Sequence, residues 1–564
     1  MTGQMIPVPV NDPLELAWFE LNDYGNARRL EALSKGLLKW VDDRFWVAFD
    51  GKRWSEREGG FRARAVAHEV AQHIHDEALA LSQLIGSQKD PDGRALIDRY
   101  GDWCTPELAI DRLSMLHKWA MKSGNAAQTA AMLTQARDMA SMRAWSEDFD
   151  KDPLTYNVQN GTLRFVRRQA DGKWVELFQD QHAPGDMLMQ ISNWVYDPKA
   201  TCPMWLERLE LIQPEAEQRA VFARMYGQTL TGLTDCEEFY VHKGAGGDGK
   251  TKTHEVISHG HGDYYRHAKV ATFLKPAFQK GGSEHRSDLV RLSGDLRMVI
   301  CDEPPLHATW DGETLKQVTG GGNVTARGSN ERTEITFKPR WKLFVEVNPT
   351  PNMPGDDKGF RRRFRLIRWP VDLSKTKDGF EPPAQLFKRL TSELSGIFNW
   401  LIAGCLDWLG DRRVPVPQIE AEQLADFWAS SSPLGEWISE RCETGDREVH
   451  TPSKVLLDDF REWMERNDLD EEQRKKWTPT KFGRDLSQRT HISKKDGRGN
   501  KVRVGIRLRI AGDLIGGSAQ GAPDRSTQQP AEPARGFGAD REGLDRRDDW
   551  SERGFGDEDL LGDD

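Results

Sequence analysis

An α/β fold, with a mainly helical unit before it and a basic helix–helix–hairpin unit after it, is predicted by three observations. The apolar run EEFYVHK is followed at 244–251 by GAGGDGKT and then by a stretch that can be helical, the strand–loop–helix setting of a GxxxxGK[ST] phosphate loop. Two later apolar runs end in polar side chains, one in Asp302 and Glu303, the other (341–348) in Asn348. Buried parallel strands deliver ligand-binding groups from their carboxyl ends in this way. The flanks differ in pattern. Residues around 65–84 and 108–144 have helical apolar periodicity, whereas 455–509 read as two helices and a Gly-tipped basic hairpin.

Taken in order, residues 1–195 form the mainly helical unit, with two β-like interruptions. RFWVAFDGKRW alternates apolar and polar residues and turns at Asp50-Gly51, and YNVQNGTLRF turns at Asn160-Gly161; both are hairpin signals. YDPKATCPMW leads into the central unit, 196–412, which a Pro-rich stretch (412–420) closes. A third unit follows at 420–511. The tail, 512–564, opens with a stretch (516–536) rich in Gly, Ser, Pro and Gln, which predicts disorder because too little apolar surface is available to offset ordering.

Composition excludes several classes. The chain has 564 residues, room for about three to four domains, with 37% hydrophobic and 30% charged residues. No apolar run reaches the roughly 18–20 residues of a membrane span, and no secretory leader pattern opens the chain. The six cysteines lie more than thirty residues apart, which fits reduced thiols and a cytoplasmic setting. The net charge of −10 is unevenly spread: 513–564 carries 14 acids against 6 bases, while 474–509 carries 13 Lys/Arg against two Asp. One basic and one acidic segment at the same end predict two different partners.

The loop residues Gly244, Gly246, Gly247, Asp248, Gly249, Lys250 and Thr251 are the candidate nucleotide site. Glycines let successive backbone N–H groups turn toward phosphate oxygens, and the following helix N-terminus adds its dipole. Lys250 is expected to reach the β/γ-phosphates of ATP, with Thr251 and Asp302 holding Mg²⁺. Glu303 is expected to polarise the attacking water. Asn348 is a neutral amide that can meet the γ-phosphate or water. In an oligomeric NTPase, an Arg of the 361–363 triplet can reach a neighbour's γ-phosphate as a finger.

The order of phosphate loop, Asp-Glu strand, TLKQVTGGGNVTARGSNERTEITFKPRWKLFVEVN and Arg-rich turn resembles a superfamily 3 helicase of the AAA+ class. The likeness is to phage and plasmid primase–helicases, which are related to poxvirus ones. The family's K-Q-x-T-G-G-D stretch is matched by Lys316-Gln317-Val318-Thr319-Gly320-Gly321, with Gly322 in place of the Asp. The resemblance covers about residues 20 to 410. It implies an AAA+ core, a hexameric ring hydrolysing ATP at subunit interfaces, and movement along single-stranded DNA, usually 3′ to 5′. It also implies that Arg362 is the finger, with Arg363 as the neighbouring candidate. A channel hairpin would contact DNA through Arg327 or Arg332 rather than Lys316.

The C-terminal unit reads independently as a winged helix. Lys481 and Arg484 fall on its recognition helix, and Lys494 and Lys495 on its wing. Phosphate neutralisation would dominate such binding. Asp148-Phe-Asp150 offers a metal-binding pair, but no upstream segment of primase size remains, so a separate primase is expected. His68/His73 and His254/His259 are spaced i, i+5 and cannot share a zinc on one helix face. The sequence therefore predicts a replicative DNA helicase of a phage, prophage or plasmid in a bacterial cytoplasm. The competing reading is an origin-binding initiator ATPase with little unwinding. Phe555 and Leu560 in the acidic tail would recruit a single-strand-binding or other replication protein.

Overall fold

In the computed structural model of the chain, the described residues are 11–86, 94–275, 286–305, 308–328, 334–348, 357–375, 381–430, 433–467, 469, 471–487, 493–496 and 501–509. The acidic tail and Arg332 lie outside them.

The N-terminal unit is organised by the thirty-residue helix Glu56–Ile85. Its first turn is capped by Ser55, whose Oγ accepts from the Glu58 N–H at 3.3 Å, and Glu56 and Glu58 favour the dipole's positive end. Ala63, Val66, Ala67, Val70, Ile74, Ala78 and Leu81 form its buried stripe, the 3.6-residue period read from the sequence. The stripe packs with helices Asp23–Ser34, Pro106–Ser123 and Ala126–Arg137. Gly59 faces strand Phe45–Phe49 so closely that a Cβ would stand 1.9 Å from the Trp46 carbonyl oxygen. The predicted hairpin is present: Phe49 pairs with Trp54, and Gly51 turns the chain at φ +100°. In the helical core, Arg29 donates to both Glu77 oxygens at 2.8 and 3.1 Å, with neither side chain exposed.

A three-stranded antiparallel sheet follows, formed by Thr155–Val158, Gly161–Arg167 and Trp174–Gln179. It shares one apolar cluster with helices Pro203–Ile212, Ala216–Gly227 and Leu394–Asp411. The last two helices touch at glycines. A Cβ on Gly404 would lie 1.9 Å from the Ala223 carbonyl oxygen, and one on Gly227 would lie 2.4 Å from the Cys405 nitrogen.

The central unit is a parallel sheet of β1 (Phe239–Lys243), β2 (Tyr265–Ala268), β3 (Met298–Cys301), β4 (Lys342–Val347) and β5 (Phe364–Arg368), in the order β5-β1-β4-β3-β2. Alternate residues of its strands enter two different cores. Tyr240, Met298, Ile300, Phe344 and Ile367 join the helical cluster on one face, while Val241, Val299, Val345 and Leu366 join a second cluster on the other. Burial on both faces explains why these strands read as continuous apolar runs. Helix Gln418–Ser430 lies against the sheet's β5 side: Phe427 stacks on Phe364 with centroids 5.4 Å apart, and Glu420 bonds Arg365 of β5 at 2.7 Å.

The C-terminal unit has its own core, including Leu434, Trp437, Leu456, Phe460, Phe482, Leu486 and Ile506. Helices Pro433–Arg441, Ser453–Arg466 and Pro479–Ser487 accompany a sheet in which Lys501–Val504 pairs with His450–Pro452 and Ser493–Asp496. The predicted helix–helix–hairpin order is observed, with an additional short helix, Glu471–Lys476, between the two helices and an additional strand, His450–Pro452.

His261 joins the three-stranded sheet to the central unit. The Thr229 hydroxyl donates to the Tyr226 carbonyl, so the His261 Nε2–H donates to Thr229 Oγ1 (2.9 Å). His261 Nδ1 then accepts from the Tyr156 hydroxyl (2.7 Å). Burial, with the nearby Lys342 and Arg297 cations, pushes this imidazole down to about 3. A depressed folded value means that the unfolded chain binds the extra proton. Its stabilising effect is thus full above about pH 6.5 and is lost as pH falls toward 3. Between pH 6.5 and 4.5, wild type should lose about 2–3 kcal/mol more stability than His261→Gln. Urea titrations across that range check this; parallel curves would refute it.

Candidate nucleotide site

The phosphate loop connects β1 to helix α1 (Lys250–His261). Gly246, Gly247 and Gly249 have φ of +92°, +67° and +90°, the left-handed region that side chains with a Cβ disfavour. Gly244 has a different requirement: a Cβ there would stand 1.6 Å from Asp248 Oδ2. That carboxylate folds back into the loop and accepts from the Gly246 and Lys250 backbone N–H groups at 3.3 and 3.2 Å. Gly249 precedes α1, and at this helix N-terminus, where unpaired N–H groups suit an anion, the Lys250 N–H is taken by Asp248.

Strand order assembles the rest. β4 lies between β1 and β3, so Asn348 at the end of β4 sits between the loop and the Asp302-Glu303 pair at the end of β3. Lys250 is 5% exposed, and its Nζ donates to Asp248 Oδ2 at 2.9 Å and Asn348 Oδ1 at 2.8 Å. Asn348 in turn donates to Glu303, from its backbone N to Oε1 (3.0 Å) and from Nδ2 to Oε2 (3.1 Å). Asp302 Oδ1 lies 3.0 Å from His267 Nε2 on β2. Lys250, Asn348 and Glu303 therefore form one hydrogen-bonded chain at the carboxyl edge of the sheet.

Of two further residues near this chain, Glu346 was not singled out from the sequence, and His254 was weighed there only as a zinc ligand. The Thr251 hydroxyl donates to Glu346 Oε2 at 2.5 Å, and the other oxygen of Glu346 is 2.7 Å from His254 Nδ1. Burial raises the Glu346 pKa, but hydrogen bonding and charge from His254, the Thr251 bond and the Lys250 charge outweigh it and hold the group below the usual carboxylate range. The available signal was a carboxylate inside the apolar strand KLFVEV. His254 is therefore a polar partner of Glu346. His259 instead packs its ring against Phe387.

The Arg triplet divides three ways. The Arg361 guanidinium lies 4.8 Å from the Trp428 ring centroid. Arg362 is exposed and donates to Glu237 Oε2 at 2.6 Å. Arg363 is 8% exposed and bonds the same oxygen at 2.8 Å and the Gly359 carbonyl at 2.9 Å. Arg362 and Arg363 immediately precede β5, at the amino edge of the sheet, whereas Lys250 lies at the carboxyl edge. A five-residue strand spans roughly 17 Å, so the two groups occupy opposite edges of the sheet.

Arg327 follows strand Val324–Ala326, which pairs with Ile335–Phe337, and its carbonyl accepts from the Arg286 N–H. In the C-terminal unit, Arg484 is exposed beside Asp485, and the Lys481 ammonium lies 4.5 Å from the Trp477 ring centroid. Lys494 and Lys495 lie on strand Ser493–Asp496; their side chains fall outside the described set. Asp150 of the DxD pair is buried and accepts from the Met189 N–H at 3.0 Å.

The fold and loop define an α/β protein with a phosphate-loop motif at the carboxyl edge of a parallel sheet. Residues 27–214 match the protein family described as "D5 N terminal like". The chain is 23% identical over 331 residues to "Putative helicase L207/L206" of Acanthamoeba polyphaga mimivirus, covering 58% of this chain and 32% of that protein. It is 24% identical over 226 residues to "Putative helicase 022R" of Frog virus 3 (isolate Goorha), covering 38% and 23%. It thus spans a third or less of these relatives' lengths. Two solved structures also match at 11% identity and a TM-score of 0.32. "The A form apo structure of NrS-1 C terminal region-CTR" covers 61% of this chain and 96% of its own, and "The apo structure of NrS-1 C terminal region (305-718)" covers 61% and 95%. Residues 27–214 are thus similar to a D5 N-terminal-like domain, and the chain is similar in sequence to viral proteins named as putative helicases.

Proposed function

We propose that this chain is the ATP-dependent motor of a replicative DNA helicase from a phage, prophage or plasmid, acting in a bacterial cytoplasm. The observation that carries the reading is the chain from Lys250 through Asn348 to Glu303. It links a loop suited to phosphate with a carboxylate suited to polarising water. Thr251 and Asp302 would hold Mg²⁺. Hydroxyl and carboxylate oxygens suit that hard cation. Among the described residues no group of three or more His, Cys, Asp or Glu could hold a metal ion, so phosphate and water would complete its ligands. Bound Mg²⁺ would neutralise charge on the phosphates.

The AAA+ assignment is supported by the β5-β1-β4-β3-β2 order, which interposes Asn348 between loop and acids. A nucleotide site shared between subunits is supported by the opposite-edge placement of Arg362 and Lys250: Arg362 or Arg363 could serve a nucleotide only on a neighbouring subunit, as in the homo-hexamer that the resemblance implies. Arg327 and Arg332 would contact single-stranded DNA. The C-terminal unit would act as a winged helix, using Lys481, Arg484, Lys494 and Lys495 at a fork. A separate primase would supply primers, and the acidic tail would recruit a single-strand-binding or other replication protein. Among the described residues no helix is long and apolar enough to cross a membrane.

Unwinding of a forked DNA in the presence of ATP and Mg²⁺ tests the proposal. Directional unwinding supports it; site-specific footprinting with little strand separation would favour the origin-binding initiator, which the basic C-terminal unit also suits. Mixing tests the shared site. Arg362→Ala and Lys250→Ala subunits, each inactive alone, should recover hydrolysis well above either variant when combined. No recovery would remove Arg362 from the interface.

A further inference from the structure

The metal side of this site contains a support that the loop motif does not specify. Glu346 lies on β4 two residues before Asn348, with its side chain 16% exposed. A carboxylate oxygen in its charged form can only accept, so the 2.5 Å contact makes Thr251 the donor. The hydroxyl's one proton is thereby directed at Glu346, leaving its lone pairs uncommitted to that bond. The same reasoning makes His254 Nδ1 the donor to the other carboxylate oxygen. His254 is itself held from behind. Its ring centroid is 4.6 Å from that of His242, whose Nδ1 accepts from the Trp369 indole N–H at 3.0 Å. Both histidines are buried, at 2% and 0% exposure. A packed column, joined at its middle by the ring contact between the two histidines, thus runs from Trp369 to the first turn of α1.

We propose that Glu346, oriented by His254, is a positioning residue of the metal–triphosphate site, holding the Thr251 hydroxyl with its lone pairs available to the divalent cation. This rests on the nucleotide reading above. Glu346 is not assigned a bond to the cation. Its role is to fix the rotor of a ligand that would otherwise turn its proton toward the metal. Groups that orient metal ligands in this way strengthen metal binding without touching the metal.

The test uses the full chain, a non-hydrolysable fluorescent ATP analogue, and titration with Mg²⁺ against EDTA. In wild type, affinity should rise when Mg²⁺ is added. In Glu346→Met, an apolar replacement of similar length, the Mg²⁺-dependent gain should fall about 10-fold, with affinity in EDTA unchanged within about twofold. Glu346→Gln should retain most of the gain, since its carbonyl can still accept from Thr251. In a Thr251→Ala background, Glu346→Met should add little, because the two changes remove one interaction. His254→Phe supplies a second route if Glu346→Met fails to fold, with a smaller loss of the same Mg²⁺-dependent gain expected. An unchanged gain in the folded Glu346→Met or His254→Phe protein overturns the proposal. So does an equal loss with and without Mg²⁺, or additive losses in the double variant. If wild type binds the analogue under neither condition, the nucleotide reading itself fails. A normal wild-type gain that is insensitive to Glu346 removes this proposal alone.

Discussion

Lys250→Ala is expected to reduce ATP turnover at least about 100-fold, the usual cost of losing one preorganised group that stabilises transition-state charge. Two effects act together. The ammonium that would neutralise the β/γ-phosphates is removed, and Asp248, 3% exposed, loses its cation while its carboxylate still points into the loop. That residual negative charge would then oppose the incoming triphosphate, so nucleotide affinity should fall as well as turnover. Lys250→Arg should not restore activity. The nitrogen sits between Asp248 Oδ2 and Asn348 Oδ1 at 2.9 and 2.8 Å, a space set for a point donor rather than a planar fork. Phosphate release and analogue binding on the purified variant check both parts. Turnover within tenfold of wild type would disprove the assignment of Lys250.

The largest expected effect on stability lies far from this site. Arg29 and Glu77 are fully buried, and Arg29 also donates to the Leu16 and Glu20 carbonyls. Removing one partner strands the other's charge, so Arg29→Ala should destabilise the N-terminal unit by about 3–5 kcal/mol. The pair itself is weak evidence of stability, because desolvation offsets much of its attraction. Arg29→Met with Glu77→Leu should therefore recover most of the loss. Chemical denaturation of the single and double variants provides the measurement. A double variant as unstable as Arg29→Ala would show that backbone carbonyl bonding, rather than charge burial, dominates.

The phosphate loop, the two strands ending in Asp302-Glu303 and Asn348, both early hairpins and the long amphipathic helices were legible in the sequence. Each is encoded locally: glycines at left-handed positions, apolar runs for strands buried on both faces, and a 3.6-residue stripe. Three features were not legible, because their partners are distant in sequence. Glu346 reads as an ordinary strand residue until α1 brings Thr251 and His254 against β4. Glu237 gives no signal until the chain start of β5 places Arg362 and Arg363 beside it. The basic C-terminal segment looked like one cationic surface. Folding instead buries Arg503 to 3% exposure, donating to the Gly483 carbonyl at 2.7 Å, and pairs Arg507 with Glu443.

The sequence by itself determined which chemical groups the chain carries and which local elements present them, because strand, turn and helix preferences act over a few residues. Only the tertiary structure decided which of those groups meet. Strand order put Asn348 between Lys250 and Glu303 and sent Arg362 to the opposite edge. These are contacts across dozens of residues, fixed by burying both faces of one sheet rather than by any neighbouring side chain.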